Sequence, residues 1–249
     1  MISKFTNKIV VVTGASSGIG KAIALEMAAQ DAVLCLVGRA LEPLLAIAHT
    51  IQQTSPRSKS YQVDLAQDED IQKLIVSIGQ DFGQVDILIH NAGIFSMGAI
   101  ATTPVAEFDQ QYRTNVRAPY LLTQALLPML KIQHGQIVFI NSSVGLRASA
   151  NVGHYAATKH ALKAIADSLR EEVNIDQIRV ISVFPGRTAT PMQAKIHEME
   201  GKIYHPERLI QPEDVASVVI NALSLPPTTE VTDISIRPFT KPLLSENLK

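Results

Sequence analysis

A phenol and a primary amine stand four residues apart in the run Tyr155-Ala156-Ala157-Thr158-Lys159. If this alanine-rich run is helical, four residues turn roughly 400° and rise about 6 Å, so both side chains leave one face. A phenol with a pKa near ~10 is a poor base at neutral pH, and each unit of downward shift is worth about 1.4 kcal/mol of preference for the charged form. A fixed ammonium is the kind of neighbour that supplies such a shift, which would make Tyr155 a general acid or base tuned by Lys159. Thirteen residues before the tyrosine, Asn141-Ser142-Ser143 offers hydroxyls that could hold a carbonyl oxygen. Taken by itself, a Tyr/Lys pair at this spacing equally describes a solvated helix face.

A second constellation follows the first apolar run: Thr13-Gly14-Ala15-Ser16-Ser17-Gly18-Ile19-Gly20, leading into a helical pattern from Lys21 to Gln30. Three glycines allow a tight turn, a close approach of backbone to a diphosphate, and tight helix–strand packing. The helix N-terminus then offers free N–H groups and partial positive charge to the anion. The spacing is G-x-x-x-G-x-G rather than G-x-G-x-x-G, and a plain strand-to-helix turn also uses glycine this way. At the end of the next apolar run, Val37-Gly38-Arg39 stands where an NAD site would carry Asp or Glu, about 20 residues after the glycines. Gly38 leaves room there, and Arg39 presents a planar charged fork to phosphate oxygens, which favours NADP over NAD. A solvated arginine at a strand end is the plainer alternative.

These groups need a framework, and the chain supplies short β-branched runs alternating with longer helical patterns. The strand candidates are Lys8–Thr13, Ala32–Gly38, Lys59–Asp64, Val85–His90, Gln136–Ser142, Ile178–Phe184 and Val231–Ile236. Most are apolar on both sides of their alternation, as strands are when helices cover both sheet faces. Helical spacing recurs between them, as in Ile71, Leu74, Ile75 and Ile78. Long Ala- and Leu-rich helices are expected from Pro104 to Lys131 and from Val152 to Asn174. The repeated strand–helix order predicts an α/β fold: a doubly wound, Rossmann-like parallel sheet of seven strands with helices on both faces and right-handed crossovers. No repeat or Pro/Gly-rich linker divides the chain, so one domain is expected over 1–249.

Composition narrows the function classes. The chain has 249 residues, 46% hydrophobic and 18% charged, with 22 basic against 23 acidic residues. The near-neutral balance argues against nucleic acid or an anionic membrane as the main partner. Cys35 is the single cysteine, which excludes an internal disulfide and any multi-thiolate metal site. The seven histidines include no HExxH, so no metal is expected. No apolar run approaches the ~18 residues of a membrane span. Met1 to Lys8 lack the apolar stretch of a signal peptide, and a cytoplasmic protein is expected.

Together, the Thr13–Gly20 turn, Asn91-Ala92-Gly93, Asn115, Ser142, Tyr155-x-x-x-Lys159 and Pro185-Gly186 with Thr190 resemble the short, single-domain branch of the short-chain dehydrogenase/reductase family over roughly 6–224. The resemblance implies an NADP(H)-dependent oxidoreductase of the carbonyl reductase or alcohol dehydrogenase type, with Asn115, Ser142, Tyr155 and Lys159 as catalytic positions. Tyr155 would protonate the carbonyl oxygen in reduction and act as base in reverse. Lys159 would hold the nicotinamide ribose while lowering the phenol's pKa. Ser142, preferred over Ser143, would orient the substrate oxygen. Asn115 would open its helix and hold a water for proton relay.

The resemblance also implies a dinucleotide site. Gly14, Ser16, Ser17, Gly18, Ile19 and Gly20 would form the diphosphate turn and Arg39 would meet the 2′-phosphate. Asp64 would accept from the adenine amino group, and Leu65 would add a backbone contact. Asn91, Ala92 and Gly93 would let the ribose lie close to backbone. Pro185 and Gly186 lead to Thr188 and Thr190, which would hold the carboxamide. Ser17 is often basic in NADP-preferring members, so Arg39 alone carries that preference. His90 stands where Asn is frequent and reads as a packed strand-end histidine. The Arg-Pro ending of Val231–Phe239 departs from the Gly-rich ending of many members, which bears on any tetramer contact there.

Substrate choice is expected from a lid over about 190–210, where Met192, Ile196, Met199 and Ile203 form an apolar helical stripe. A surface helix packed permanently on the core would read the same way. Phe95, Leu146, Arg147 and Tyr204 are possible contributors to the pocket, which suits a mainly apolar carbonyl compound unless Arg147 or Arg187 meets a carboxylate. A small molecule is the expected partner, and the family resemblance adds a homodimer or homotetramer; Ala157, Ala161, Ala164 and Leu169 suggest close helix packing, against a second copy or within one subunit. Two other classes fit the dinucleotide site: a catalytically silent regulatory sensor, and an epimerase or dehydratase. Keeping the Ser, Tyr and Lys together disfavours the first, and the short chain after Thr190 disfavours the second.

Overall fold

The computed structural model describes residues 3–240 of the protein. Seven short runs, most of them rich in Val, Ile and Leu, form strands β1 (Ile9–Thr13), β2 (Val33–Gly38), β3 (Lys59–Gln62), β4 (Ile87–His90), β5 (Gln136–Ile140), β6 (Arg179–Pro185) and β7 (Asp233–Ile236). All pair in parallel, in the order β3-β2-β1-β4-β5-β6-β7. The chain winds outward from β1 to β3, then crosses back to β4 and winds outward to β7. The reversal between β1 and β4 opens a crevice beyond the C-terminal strand ends, where ligands bind in such sheets.

The helices are α1 (Gly18–Ala28), α2 (Leu41–Gln52), α3 (Asp68–Asp81), α4 (Val105–Tyr112), α5 (Ala118–Gln133), α6 (Gly153–Val173), α7 (Pro191–Met199) and α8 (Pro212–Leu223). Strand alternation assigns most of them to faces. Val10 and Val12 of β1 join a core with Ile23 and Met27 of α1, Leu44 of α2 and Val219 of α8. Val11, one residue out of phase, joins the opposite core with Ile71 of α3, Leu126 of α5 and Leu162 of α6. Cys35 is fully buried in this second core. Each such side chain contributes about 1.5–3 kcal/mol by leaving water, so the two cores fix the register of the strands and with it the positions of their ends.

All seven expected strands are present, most of them shorter by one or two residues at an end. At Asp86 the carboxylate explains the late start of β4: Oδ2 accepts from the Ile9 N–H at 2.9 Å and Oδ1 from Lys8 Nζ at 2.7 Å. The long helix expected from Pro104 to Lys131 is two helices joined by a π-helical turn over Arg113–Arg117, and Asn115, the residue expected to open it, lies in that turn. The expected domain span 1–249 runs beyond the described residues by 1–2 and 241–249.

Candidate active site

The loops that follow β1 to β6, at the C-terminal strand ends, enclose a cleft of about 750 Å³. The loop after β1 is shaped by its glycines. Gly14 has φ +67° and Gly18 φ +54°, a region that side chains rarely adopt. A Cβ on Gly14 would lie 2.8 Å from Asn91 Nδ2, and one on Gly20 would collide with the same nitrogen and with the Gly14 carbonyl. Asn91 closes this arrangement by donating to the carbonyls of Thr13 at 3.0 Å and Gly14 at 3.1 Å. The Thr13 hydroxyl accepts from the N–H groups of Asn91 and Ala92 at 3.0 and 3.1 Å. The first turn of α1 carries no acidic residue, and Ser17 at its cap makes no side-chain capping bond, so its N–H groups are offered to the cleft.

Gly14, Ser16, Ser17, Gly18, Ile19, Arg39, Asp64, Leu65, Asn91, Ala92 and Gly93 all line this cleft. Arg39 is exposed at the end of β2, beyond Gly38, where an added Cβ would sit 3.5 Å from the Ser16 side chain. Asp64 accepts from the Ala66 N–H at 3.0 Å. The anion-ready turn, the arginine and the glycine cradle are a donor set suited to a dinucleotide that carries an extra phosphate.

The second half of the cleft holds Ser142, Tyr155, Lys159, Pro185, Gly186, Thr188 and Thr190. Tyr155 and Lys159 share one face of α6 and both are buried. The Lys159 Nζ points inward, donates to the Ile140 carbonyl at 3.1 Å and lies 5.9 Å from the centre of the Tyr155 ring. Burial pushes the Tyr155 phenol up to about 12, against a smaller downward pull from the Ser142 hydroxyl. Burial also pushes the Lys159 amine down to about 8. The expected depression of the phenol is therefore absent in the protein by itself, because desolvation dominates and the ammonium is directed at a backbone carbonyl. A phenol kept neutral is equipped to donate a proton.

Asn141 and Thr158, to which the sequence assigned no role, help hold this geometry. Asn141 donates to the Lys159 carbonyl at 3.0 Å and accepts from the Ser142 N–H at 2.9 Å, tying the end of β5 to α6. Gly145 is the trace it leaves, since a Cβ there would lie 2.5 Å from Asn141 Oδ1. Thr158 donates to the Tyr155 carbonyl at 2.7 Å and accepts from Asn115 Nδ2 at 3.2 Å. Asn115 sits in the π-helical turn, and its amide reaches the backbone of Ile94.

Around α7 the expected and observed arrangements differ. Met192 and Ile196 line the cleft, but Met199 and Ile203 are 50% and 47% exposed. The buried face of α7 is instead polar, formed by Gln193 and His197. His197 Nδ1 lies 2.9 Å from the Gln193 carbonyl and 3.1 Å from Gln193 Nε2, and its ring packs edge-on against Tyr204. The two polar groups satisfy each other, which makes their burial tolerable. Of the other proposed pocket residues, Phe95 lines the cleft and meets the Tyr155 ring edge-to-face at 4.9 Å. Leu146 and Arg147 are exposed and off the cleft lining. Thr190 caps α7, accepting from the Gln193 N–H at 3.2 Å, while a Cβ on Gly18 would lie 2.9 Å from Thr190 Cγ2. The two halves of the cleft are thus in direct contact.

The short chain dehydrogenase family model matches residues 8–201. An uncharacterised oxidoreductase of Staphylococcus epidermidis is 32% identical over 238 residues, covering 95% of this chain and all of the relative. Among solved structures, an alcohol dehydrogenase of the archaeon Thermococcus sibiricus, complexed with 5-hydroxy-NADP, superposes with a TM-score of 0.85 at 26% identity, covering 95% of this chain and 99% of the other. A metagenomic short-chain oxidoreductase in complex with NADP gives a TM-score of 0.82 at 29% identity, covering 96% and 100%.

Proposed function

The chain belongs to the short-chain dehydrogenase family, and on that premise we propose that it is an NADP(H)-dependent reductase or dehydrogenase acting on a carbonyl or alcohol group. The observation that carries this reading is the buried Tyr155–Lys159 pair beside Ser142, at the far end of one cleft from a glycine turn and Arg39. A dinucleotide held along the cleft by the glycine turn and Arg39 would supply or accept the hydride. Tyr155 gives its phenolic proton to the carbonyl oxygen in reduction and takes it back in oxidation, and its neutrality at physiological pH suits the first role. Ser142 orients that oxygen by hydrogen bonding and stabilises the charge that develops on it. Lys159 supplies a buried cation between the phenol and the sugar end of the cleft. Asn115 acts through the strand-end loop that it holds, keeping Gly93 and Ile94 in position.

Arg39 and the α1 turn favour NADP(H) in the first half of the cleft, and Thr188 and Thr190 address the nicotinamide end. The segment 190–210 serves as the substrate lid, with Met192 and Ile196 facing inward. Ala157 and Ala164 are exposed on α6, which supports a homodimer or homotetramer built on that helix. Among the described residues no helix is long and apolar enough to cross a membrane, and the cytoplasm is the compartment this reading assigns. Stoichiometric NADPH oxidation with at least one compound of a carbonyl panel is the expected result; a protein that binds NADPH and oxidises it with none would overturn the reading.

A further inference from the structure

The walls of the substrate end are apolar at Phe95, Val152, Met192 and Ile196, yet one ion pair is built into the same lining. Arg187, in the loop after β6, donates from Nη2 to Glu200 Oε1 at 2.6 Å, thirteen residues later and directly after α7. The other carboxylate oxygen of Glu200 accepts from Lys202 Nζ at 2.9 Å. The side chains of Arg187 and Glu200 are 34% and 17% exposed, so the carboxylate is the more enclosed member. Two cations hold Glu200 below the usual carboxylate range despite its burial, and it is therefore charged at neutral pH.

We propose that the Arg187–Glu200 pair is a charge filter that makes this enzyme select uncharged carbonyl compounds and reject those bearing a carboxylate. The inference rests on the carbonyl reading given above and deepens it. Among the described residues three basic side chains line the cleft: Arg39, Lys159 and Arg187. Arg39 stands beyond β2, on the opposite side of β1 from β5 and β6, which carry the substrate end. Lys159 is buried and directed at the Ile140 carbonyl. Arg187 already holds a carboxylate supplied by the protein. An arriving substrate carboxylate would have to displace Glu200 from Arg187 or lie against it, and like charges so placed cost several kcal/mol in an enclosed site. A neutral substrate meets only the apolar wall and the Ser142 and Tyr155 hydroxyls. Because Glu200 follows α7 directly, displacing it would also release that end of the helix from the loop that carries Arg187.

The test compares levulinate with methyl levulinate, and an aryl keto acid with its methyl ester, as substrates of the intact enzyme with NADPH. The expected wild-type kcat/KM favours each ester over its acid by about tenfold or more. In Glu200→Gln, which keeps the shape and removes the charge, the ester-to-acid ratio is expected to fall by about fivefold or more, and comparing the ratios cancels the intrinsic reactivity of the two carbonyls. A wild-type enzyme that reduces acid and ester equally well overturns the charge filter while leaving the carbonyl reading standing, and this arm needs no variant to fold. An unchanged ratio in a Glu200→Gln protein that still binds NADPH overturns it too. NADPH oxidation with no member of either pair, or of the wider carbonyl panel, removes the carbonyl reading and the filter with it.

Discussion

Asn115 and Ile94 exchange two hydrogen bonds, Oδ1 accepting from the Ile94 N–H at 2.8 Å and Nδ2 donating to the Ile94 carbonyl at 2.9 Å. A side-chain amide thus pairs with a main-chain peptide as a strand would, and it does so from inside a π-helical turn. The pairing fixes the loop after β4 beside α6, where a Cβ on Gly93 would lie 3.3 Å from Asn115 Oδ1 and 3.9 Å from Lys159 Nζ.

Asn115→Ala is expected to destabilise the fold by roughly 2–4 kcal/mol, since it leaves two peptide groups without partners in a half-buried loop. Urea unfolding monitored by circular dichroism reads the loss. A variant as stable as the parent would show that the clamp is dispensable.

Tyr155→Phe removes one hydroxyl and keeps the ring that Phe95 packs against. Turnover is expected to fall by about 10²–10⁴-fold, the range of a lost general acid. NADPH binding, followed by its fluorescence, should change little. Retained turnover would rule out the proton-donor role.

Arg39→Asp replaces the cation beyond β2 with a charge that repels a 2′-phosphate. Affinity for NADPH should drop by about 100-fold or more, the loss of a charge-assisted pair plus repulsion, while NADH binding holds or improves. An equal loss for both cofactors would place the phosphate contact elsewhere.

His90 predicts an acid limb in stability. Its ring is buried, stacked on Phe139 and hydrogen-bonded to Thr123 Oγ1 at 2.7 Å, and burial pushes its pKa down to about 3 from an ordinary 6.5. Above the ordinary value both folded and unfolded forms are neutral, so nothing is lost. Between the two values the unfolded chain binds a proton that the folded one refuses, so stability falls as pH falls through this window. By about pH 4 the loss attributable to this ring is roughly 2–4 kcal/mol, and His90→Asn should flatten the decline in denaturant titrations run across that range. Parallel curves for the two proteins would remove His90 as the cause.

The strands were legible because their runs are apolar on both faces wherever helices cover both sides, as at Val33–Gly38. The glycine turn, Arg39 and the Tyr155–Lys159 pair could be read from residue type and spacing, whereas the choice of Ser142 over Ser143 came from the family resemblance. That Asn115 opens its helix was implied by the family resemblance alone: no Pro or Gly marks Arg113–Arg117, and the Ile94 peptide that Asn115 pairs with lies far earlier in the chain. The inward face of α7 was legible only in part, with Met192 and Ile196 lining the cleft as expected but Gln193 and His197 forming the buried face. Its apolar stripe is real in sequence, but Gln193 and His197 satisfy one another and so can be buried, which leaves Met199 outside. The phenol's upward shift was likewise hidden, because the sequence reveals the neighbouring amine but not the depth of burial that outweighs it.

The enclosure of Cys35 within the sheet has a practical consequence. With the sole native thiol sealed in the core and its ionisation suppressed by burial, a cysteine introduced at the exposed Met199 would be the one site open to a maleimide dye. A fluorophore attached there would report, without further engineering of the background, whether the end of α7 shifts when cofactor and substrate arrive.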